Sequence, residues 1–151
     1  MKNILYLLMG MSICSCGKSV VDYNMKGEFI YYNRLATPIQ LHIRNGLNKA
    51  KEDHIIDPGG SFTIHTSGES HNPVANPAGY VPGITADTAI IQFNDTLCYT
   101  EYREGAWLHN INKYKSNKRG DADYVFSFDI DSNLVNLAHL CPDLRLFRPE
   151  F

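Results

Sequence analysis

Residues 38–44 read PIQLHIR, a stretch in which apolar and polar side chains alternate without a break. The apolar side chains fall on one side of an extended chain, and they are Ile39, Leu41 and Ile43. A period of two residues is typical of a β-strand with one face buried. Asn45-Gly46 follows, and this pair favours the tight turn of a β-hairpin. We therefore expect a half-buried strand in which His42 faces away from the core.

The same alternation recurs along most of the chain, between short segments rich in turn-forming residues. Further strands are predicted over residues 28–34, 53–57, 87–94, 96–103 and 124–130, and in the segment that begins with Phe62. The inward positions of two of them are Ala89, Ile91 and Phe93, and Tyr124, Phe126, Phe128 and Ile130. Short half-buried strands with frequent turns are typical of a β-sandwich. We expect a mainly β fold: a single antiparallel β-sandwich, Ig-like or a related Greek key.

One short C-terminal helix is predicted over residues 132–140. Asp131 or Ser132 supplies a side-chain oxygen that can cap its N-terminus. Apolar residues follow at the spacing of one helical face, and they are Leu134, Leu137, Ala138 and Cys141. Pro142 ends the pattern, because proline cannot continue a helix. We expect this face to cover a sheet edge or one end of the sandwich.

Two stretches lack the alternation and are predicted to be loops, residues 68–86 and 104–123. Loops of this length in a compact domain are usually functional or mobile. They carry aromatic and polar residues suited to a glycan or peptide ligand, and the candidates are His71, Tyr80, Trp107 and Tyr114. For Trp107 the alternative is a place in the core, with its indole N–H hydrogen-bonded.

Composition and motifs argue against several classes of function. The chain has 151 residues, enough for one domain, and a net charge of −2 that argues against a nucleic-acid surface. It contains neither a Gly-x-Ser-x-Gly nucleophile elbow nor a zinc-binding His spacing. We therefore expect no catalytic residue, no metal site and no cofactor. The six histidines are interpreted as scattered polar residues, although His65, His71 and Asp87 are an alternative metal set without supporting spacing.

Residues 1–26 are interpreted as a targeting signal followed by a tether. Lys2 precedes the apolar residues 4–13, a run too short to span a membrane but typical of a signal peptide. Residues 13–17, ICSCG, then resemble a bacterial lipobox, which implies cleavage before Cys16 and its acylation with chains such as palmitate. An ordinary signal peptide is the alternative. The predicted division is a lipoprotein signal peptide over 1–15, a lipidated tether over 16–26 and the β-sandwich over 27–151.

After such a cleavage, Cys98 and Cys141 are the cysteines that remain in the domain. An oxidising envelope compartment permits a disulfide between them. The chain-entropy model assigns a loop of this length about 4 kcal/mol of stabilisation. Two buried free thiols are the alternative, because cysteine also packs well as a small hydrophobe.

The order of these motifs resembles that in a known group of proteins. The motifs are Asn33 with residues 38–43, residues 56–62, residues 87–95, residues 110–112 with Tyr114, and residues 124–128 before the predicted helix. In this order they resemble the small uncharacterised lipoproteins of Bacteroides-type Gram-negative bacteria. The resemblance implies a β-sandwich lipid-anchored in the outer membrane, facing the periplasm or the cell surface, and brings no catalytic residue. Asp95-Thr96 resembles the O-glycosylation sites of such bacteria, so Thr96 is a candidate for that modification.

The expected function is that of an envelope lipoprotein acting as a non-catalytic binding or accessory module. Its expected partners are the membrane, through the lipid, and a glycan or peptide ligand, with no nucleic acid. One alternative is a structural partner in an envelope protein complex. A hydrolase is the second alternative, for which the sequence offers no motif.

Overall fold

The computed structural model describes residues 23–44, 51–70, 77, 80–103 and 105–142. Four strands precede the middle of the chain: β1 (Tyr23–Asn33), β2 (Ile39–Arg44), β3 (Lys51–Ile56) and β4 (Ser61–Ser70). Five strands follow: β5 (Thr88–Gln92), β6 (Leu97–Tyr102), β7 (Lys115–Gly120), β8 (Asp123–Ile130) and β9 (His139–Leu140). A 3-10 helix (Ile111–Lys113) precedes β7, and the helix α1 (Ser132–Val135) follows β8.

The strands form two sheets, with the orders β4-β1-β8-β7 and β3-β2-β5-β6-β9. Strand β4 returns to lie beside β1 while β2 and β3 pair in the other sheet, which is a Greek-key arrangement divided between two layers. The predicted mainly β sandwich is confirmed. Its pairing is antiparallel except between β1 and β8, which run parallel. The chain between these two strands passes through the other sheet, and parallel pairing needs such a long connection.

Alternate side chains of both sheets meet in an aromatic core. The predicted inward positions of β2, β5 and β8 are confirmed, with Ile39, Leu41, Ala89, Ile91, Tyr124, Phe126, Phe128 and Ile130 all buried. The ring centroids of Phe29 and Phe126 lie 4.6 Å apart, and Tyr114 meets Phe29 edge to face at 5.7 Å. Because each large aromatic side chain buries much apolar surface, these rings contribute strongly to the hydrophobic stabilisation of the fold, together with the buried isoleucines and leucines.

The two predicted loops contain more structure than the sequence indicated. Residues 115–120, KSNKRG, form the edge strand β7, although no apolar alternation marks it. An edge strand with an exposed surface needs no apolar face, and lysines at such an edge discourage pairing with other chains. In the other stretch, β4 extends to Ser70, and Tyr80, Ile84 and Ala86 are buried between the sheets. These three residues therefore belong to the core.

The predicted C-terminal helix is wrong in length. Asp131 caps it as expected, with its side chain accepting the N–H of Asn133, but α1 ends at Val135. Leu134 is buried, whereas Leu137 is 47% exposed. The chain leaves the helical path because His139 and Leu140 pair with β6, and a disulfide joins Cys141 to Cys98 on that strand. A continuous helix would not satisfy this pairing and the covalent bond together.

Strand β1 also begins earlier than the predicted domain boundary at Gly27. Its pairing with β4 starts at Tyr23 opposite Ser70, and Met25 packs against the core. Residues 23–26 therefore belong to the sandwich, so the predicted tether over 16–26 is too long at its C-terminal end.

Asn33 is a fully buried polar residue that joins the end of β1 to two connections between the sheets. Its side-chain amide donates to the carbonyls of Thr37 (2.8 Å) and Ile56 (2.9 Å), and its side-chain oxygen accepts the N–H of Leu35 (3.0 Å). Its backbone N–H donates to the carbonyl of Gly60, and its carbonyl accepts the N–H of Gly59, each at 3.0 Å. One side chain thus holds the β1–β2 connection against the end of β3.

We expect Asn33→Ala to lower the free energy of unfolding by about 3 kcal/mol, because it leaves buried carbonyls and an N–H without partners. Urea denaturation monitored by circular dichroism measures the change. The control is Asn117→Ala at an exposed position of β7, which should change the free energy by no more than about 0.5 kcal/mol. Equal effects of the two substitutions would contradict the role assigned to Asn33.

Candidate functional site

Two of the predicted ligand-binding aromatics, Tyr80 and Tyr114, are buried in the structure. The Tyr80 hydroxyl donates to the carbonyl of Ala122 at 2.6 Å, and the Tyr114 hydroxyl donates to the carbonyl of Leu108 at 2.6 Å. Burial raises the pKa of both phenols, so both remain neutral donors. They occupy the core because the loops that carry them pack between the sheets.

The remaining predicted site residues have mixed positions. Trp107 is half-buried against the core, with the ammonium of Lys113 4.6 Å from its ring centre. Thr96 is exposed, and its hydroxyl donates to the side-chain oxygen of Asn94. His71 and Cys16 lie outside the described residues.

Glu101 is a buried carboxylate that the sequence interpretation missed. It lies on β6 beside Ala89 of β5, and its side chain is 2% exposed. Five donors surround its oxygens: the Tyr99 hydroxyl at 2.5 Å, His109 Nδ1 at 3.1 Å, and the backbone N–H groups of Trp107, Leu108 and His109. A Cβ at residue 105 would overlap this side chain, so only glycine fits where the loop passes over it.

These contacts keep Glu101 ionised inside the protein. Burial by itself raises the pKa of a carboxyl, but hydrogen bonds from His109, Tyr99 and the backbone outweigh it and lower the pKa of Glu101 to about 2. The second nitrogen of His109, Nε2, lies 3.1 Å from the carbonyl of Ala86. Both ring nitrogens therefore lie against oxygen atoms of the protein. The result is a buried hydrogen-bonded pair, Glu101 with His109, that ties β6 to the segment before β5.

We interpret this cluster as the support of loop 105–109. It lies between the sheets, and its described donors and acceptors bond one another or the backbone of that loop and of Ala86. The sequence did contain a signal for this site, because the alternation that puts Leu97 and Tyr99 inward also puts Glu101 inward. The partners of that carboxyl were not visible, because they come from a loop without periodicity.

We expect Glu101→Gln to lower the free energy of unfolding by about 3 kcal/mol near pH ~7, because the amide cannot accept all these donors. The depressed pKa means that the ionised form stabilises the fold above the ordinary value of 4.5, and that this contribution is lost as pH falls from 4.5 toward about 2. The difference between wild type and variant should therefore shrink over that interval in urea denaturation. Glu69→Gln, at an exposed position of β4, is the control. Parallel pH profiles for wild type and Glu101→Gln would contradict this assignment.

Two open clefts of about 340 Å³ each lie on the outer faces of the described sandwich, one per sheet. The cleft on the four-stranded sheet includes the ion pair of Arg119 with Glu28, 2.5 Å apart, and the exposed His65. The cleft on the five-stranded sheet we call the amide cleft, and its lining includes Pro38, Gln40, Ile55, Gln92, Asn94 and Asp95. In this second cleft a lining residue, Gln92, contacts a buried polar side chain, His42, and we take this cleft as the candidate functional site.

The buried side chain beside the amide cleft is His42, which shares the outer face of β2 with Gln40 and is only 5% exposed. It is covered because its Nδ1 lies 2.7 Å from a carboxylate oxygen of Asp53 and its Nε2 lies 3.2 Å from the side-chain oxygen of Gln92. Arg44 approaches the same Asp53 oxygen at 2.5 Å. Burial opposes ionisation of Asp53, but the hydrogen bonds from His42 and Arg44 prevail and lower its pKa.

Comparisons of this chain with protein-family models, with curated proteins and with solved structures found no match. Within the described ranges, no helix has the length and hydropathy needed to cross a bilayer. The same ranges hold no group of three or more His, Cys, Asp or Glu side chains placed to ligate a metal.

Proposed function

We propose that this protein is a lipid-anchored module of the bacterial envelope that binds a ligand or serves as an accessory subunit without catalysing a reaction. The anchor is Cys16, at the end of the lipobox-like residues 13–17. Residues 17–22 separate that cysteine from β1, which leaves a short connection between the bilayer and the sandwich. The proposed location is the outer membrane, facing the periplasm.

The observation that carries this proposal is the disulfide between Cys98 and Cys141. Cys98 is fully buried on β6, and Cys141 directly follows β9, so the bond fastens the two-residue strand β9 to the sheet. Structural disulfides persist in the oxidising compartments outside the cytosol and are rare within it. A covalent bond of this kind therefore supports an envelope location independently of the N-terminal pattern.

The distribution of polar groups supports binding rather than catalysis. The Glu101–His109 pair contains side chains of the type used in acid–base catalysis, but it lies between the sheets and holds loop 105–109. The amide cleft, in contrast, is open and rests on a rigid sheet. A rigid scaffold that presents polar side chains in an open cleft is the usual form of a small binding site.

A second candidate function is that of a structural partner in an envelope complex. Three exposed apolar side chains belong to β6 or to the segment that follows α1: Tyr102 at 65%, Leu137 at 47% and Leu140 at 79%. Strand β9 covers only Leu97 and Cys98 of β6. Apolar side chains beside an incompletely covered edge strand favour contact with another protein.

We expect Cys16→Ala to release the protein from membranes, because the acylated sulfur is the anchor that the proposal assigns. Fractionation of the native host with a high-salt wash and immunoblotting measures the change. Cys14→Ala is the matched control, since alanine keeps a small residue within the lipobox and should leave the protein in the membrane fraction. Membrane retention of Cys16→Ala would show that the anchor is assigned wrongly.

We also expect Cys98 and Cys141 to resist maleimide labelling in protein taken from the native host without reductant. Denaturation alone should not expose them, because the disulfide and not burial protects them, whereas reductant should make both reactive. Peptide mass spectrometry reads each cysteine separately. Complete labelling of both in the denatured, unreduced protein would remove the main support for an envelope location.

A further inference from the structure

The amide cleft combines side chains from the face of the sheet with those of the turn between β5 and β6, which carries Asn94 and Asp95. On the sheet, Gln40 of β2 pairs directly with Gln92 of β5 on one side and with Ile55 of the edge strand β3 on the other. Strands β2 and β5 are interior strands, so their backbone groups are occupied by neighbouring strands. A ligand that contacts Gln40 and Gln92 is therefore recognised by their side chains and not by strand addition.

Two of the side-chain amides are held in place by neighbouring groups. The side-chain oxygen of Gln92 lies 3.2 Å from Nε2 of His42, whose Nδ1 lies 2.7 Å from Asp53, so the Gln92 amide is fixed in position. The oxygen of Asn94 accepts the N–H of Thr96 at 2.9 Å and the N–H of Leu97 at 2.8 Å, which directs its NH₂ group away from that turn. Fixed donors lose little conformational freedom when they bind a ligand.

The other groups determine the chemistry of the occupant. Asp95 adds a carboxylate acceptor and Gln40 an exposed amide, while Pro38 and the 73% exposed Ile55 add apolar surface. The described lining contains no Lys, Arg or His to balance an anion. Amide donors beside a carboxylate acceptor match groups that both donate and accept, which is the property of a hydroxyl. The apolar residues match the C–H surface of a sugar ring.

We infer that the amide cleft binds a neutral sugar, with the hydroxyl groups held by the amides of Gln40, Gln92 and Asn94 and by the carboxylate of Asp95. This inference rests on the proposed binding function and names its ligand class. His42 contacts Gln92 and is itself held by Asp53, and neither His42 nor Asp53 lines the cleft.

The test is a titration of the full, disulfide-bonded chain in a detergent without a sugar headgroup. Glucose, galactose, mannose and N-acetylglucosamine are added separately to about 20 mM, a range that detects millimolar affinity. Two-dimensional ¹H–¹⁵N NMR follows the side-chain NH₂ signals. At least one sugar should shift the signals of Gln40, Gln92 and Asn94 while leaving that of Asn117, on the opposite sheet, in place.

Gln40→Ala should weaken the binding of that sugar about fivefold, the size expected for one hydrogen bond, and Asn117→Ala should leave it unchanged. Both positions are exposed, so both variants should fold. Absence of shifts with all four sugars overturns the inference, as does equal affinity in Gln40→Ala and wild type. A response to triglycine or inorganic phosphate without one to sugars also overturns it.

The failure of this inference is distinguishable from the failure of the proposed function. If Cys16 is acylated but none of the sugars binds, the inferred ligand class is wrong, whereas the proposed lipid-anchored module still stands. If Cys16 carries no lipid, the proposed anchor is wrong, whereas the result of the sugar titration still tests the ligand class.

Discussion

The carboxylate of Glu101 is taken out of water and yet kept ionised, and this requirement shapes the structure around β6. A buried charge is tolerated only when it is paired and its lone pairs are filled. Three consecutive backbone N–H groups, from Trp107 to His109, provide much of what is needed, so the chain must wrap the carboxylate in one conformation. Gly105 is required for that path, and His109 extends the same network to Ala86.

Asn33 has an equivalent role at the opposite end of the sandwich. It bonds the carbonyl of Ile56, which pairs with Ile39 at one end of β2, whereas Glu101 faces Ala89, which pairs with Ile43 near the other end. Both ends of the double layer are therefore closed by buried polar side chains that bond the backbone of irregular segments. Such networks specify one arrangement of the loops, because a partly satisfied network in a low-dielectric interior is strongly unfavourable.

Two tyrosines of the irregular segments lie in the core and not on an exposed surface. Tyr80 and Tyr114 place their rings in the core and their hydroxyls on backbone carbonyls. The surfaces left for recognition are the outer faces of the sheets, where alternation leaves polar side chains. On one of these faces Gln40 and Gln92 lie together, next to Asn94 of the turn between β5 and β6, and His42 contacts Gln92.

The sequence by itself determined the fold class, the inward face of most strands and the cap of α1, because a period of two residues and a capping carboxyl act over a few neighbouring residues. Local patterns also indicated a pairing of Cys98 with Cys141, although free thiols remained an alternative. Only the tertiary structure decided the strand β7, the short length of α1, the burial of Tyr80 and Tyr114, the Glu101 network and the amide cleft. Each of these depends on contacts that apolar alternation does not record. Strand β7 pairs with β8, α1 ends where β9 pairs with β6, and Gln40 of β2 pairs with Gln92 of β5. Sequence patterns report which side of a strand is buried, but the neighbour of that strand is chosen by the packing of the whole sandwich.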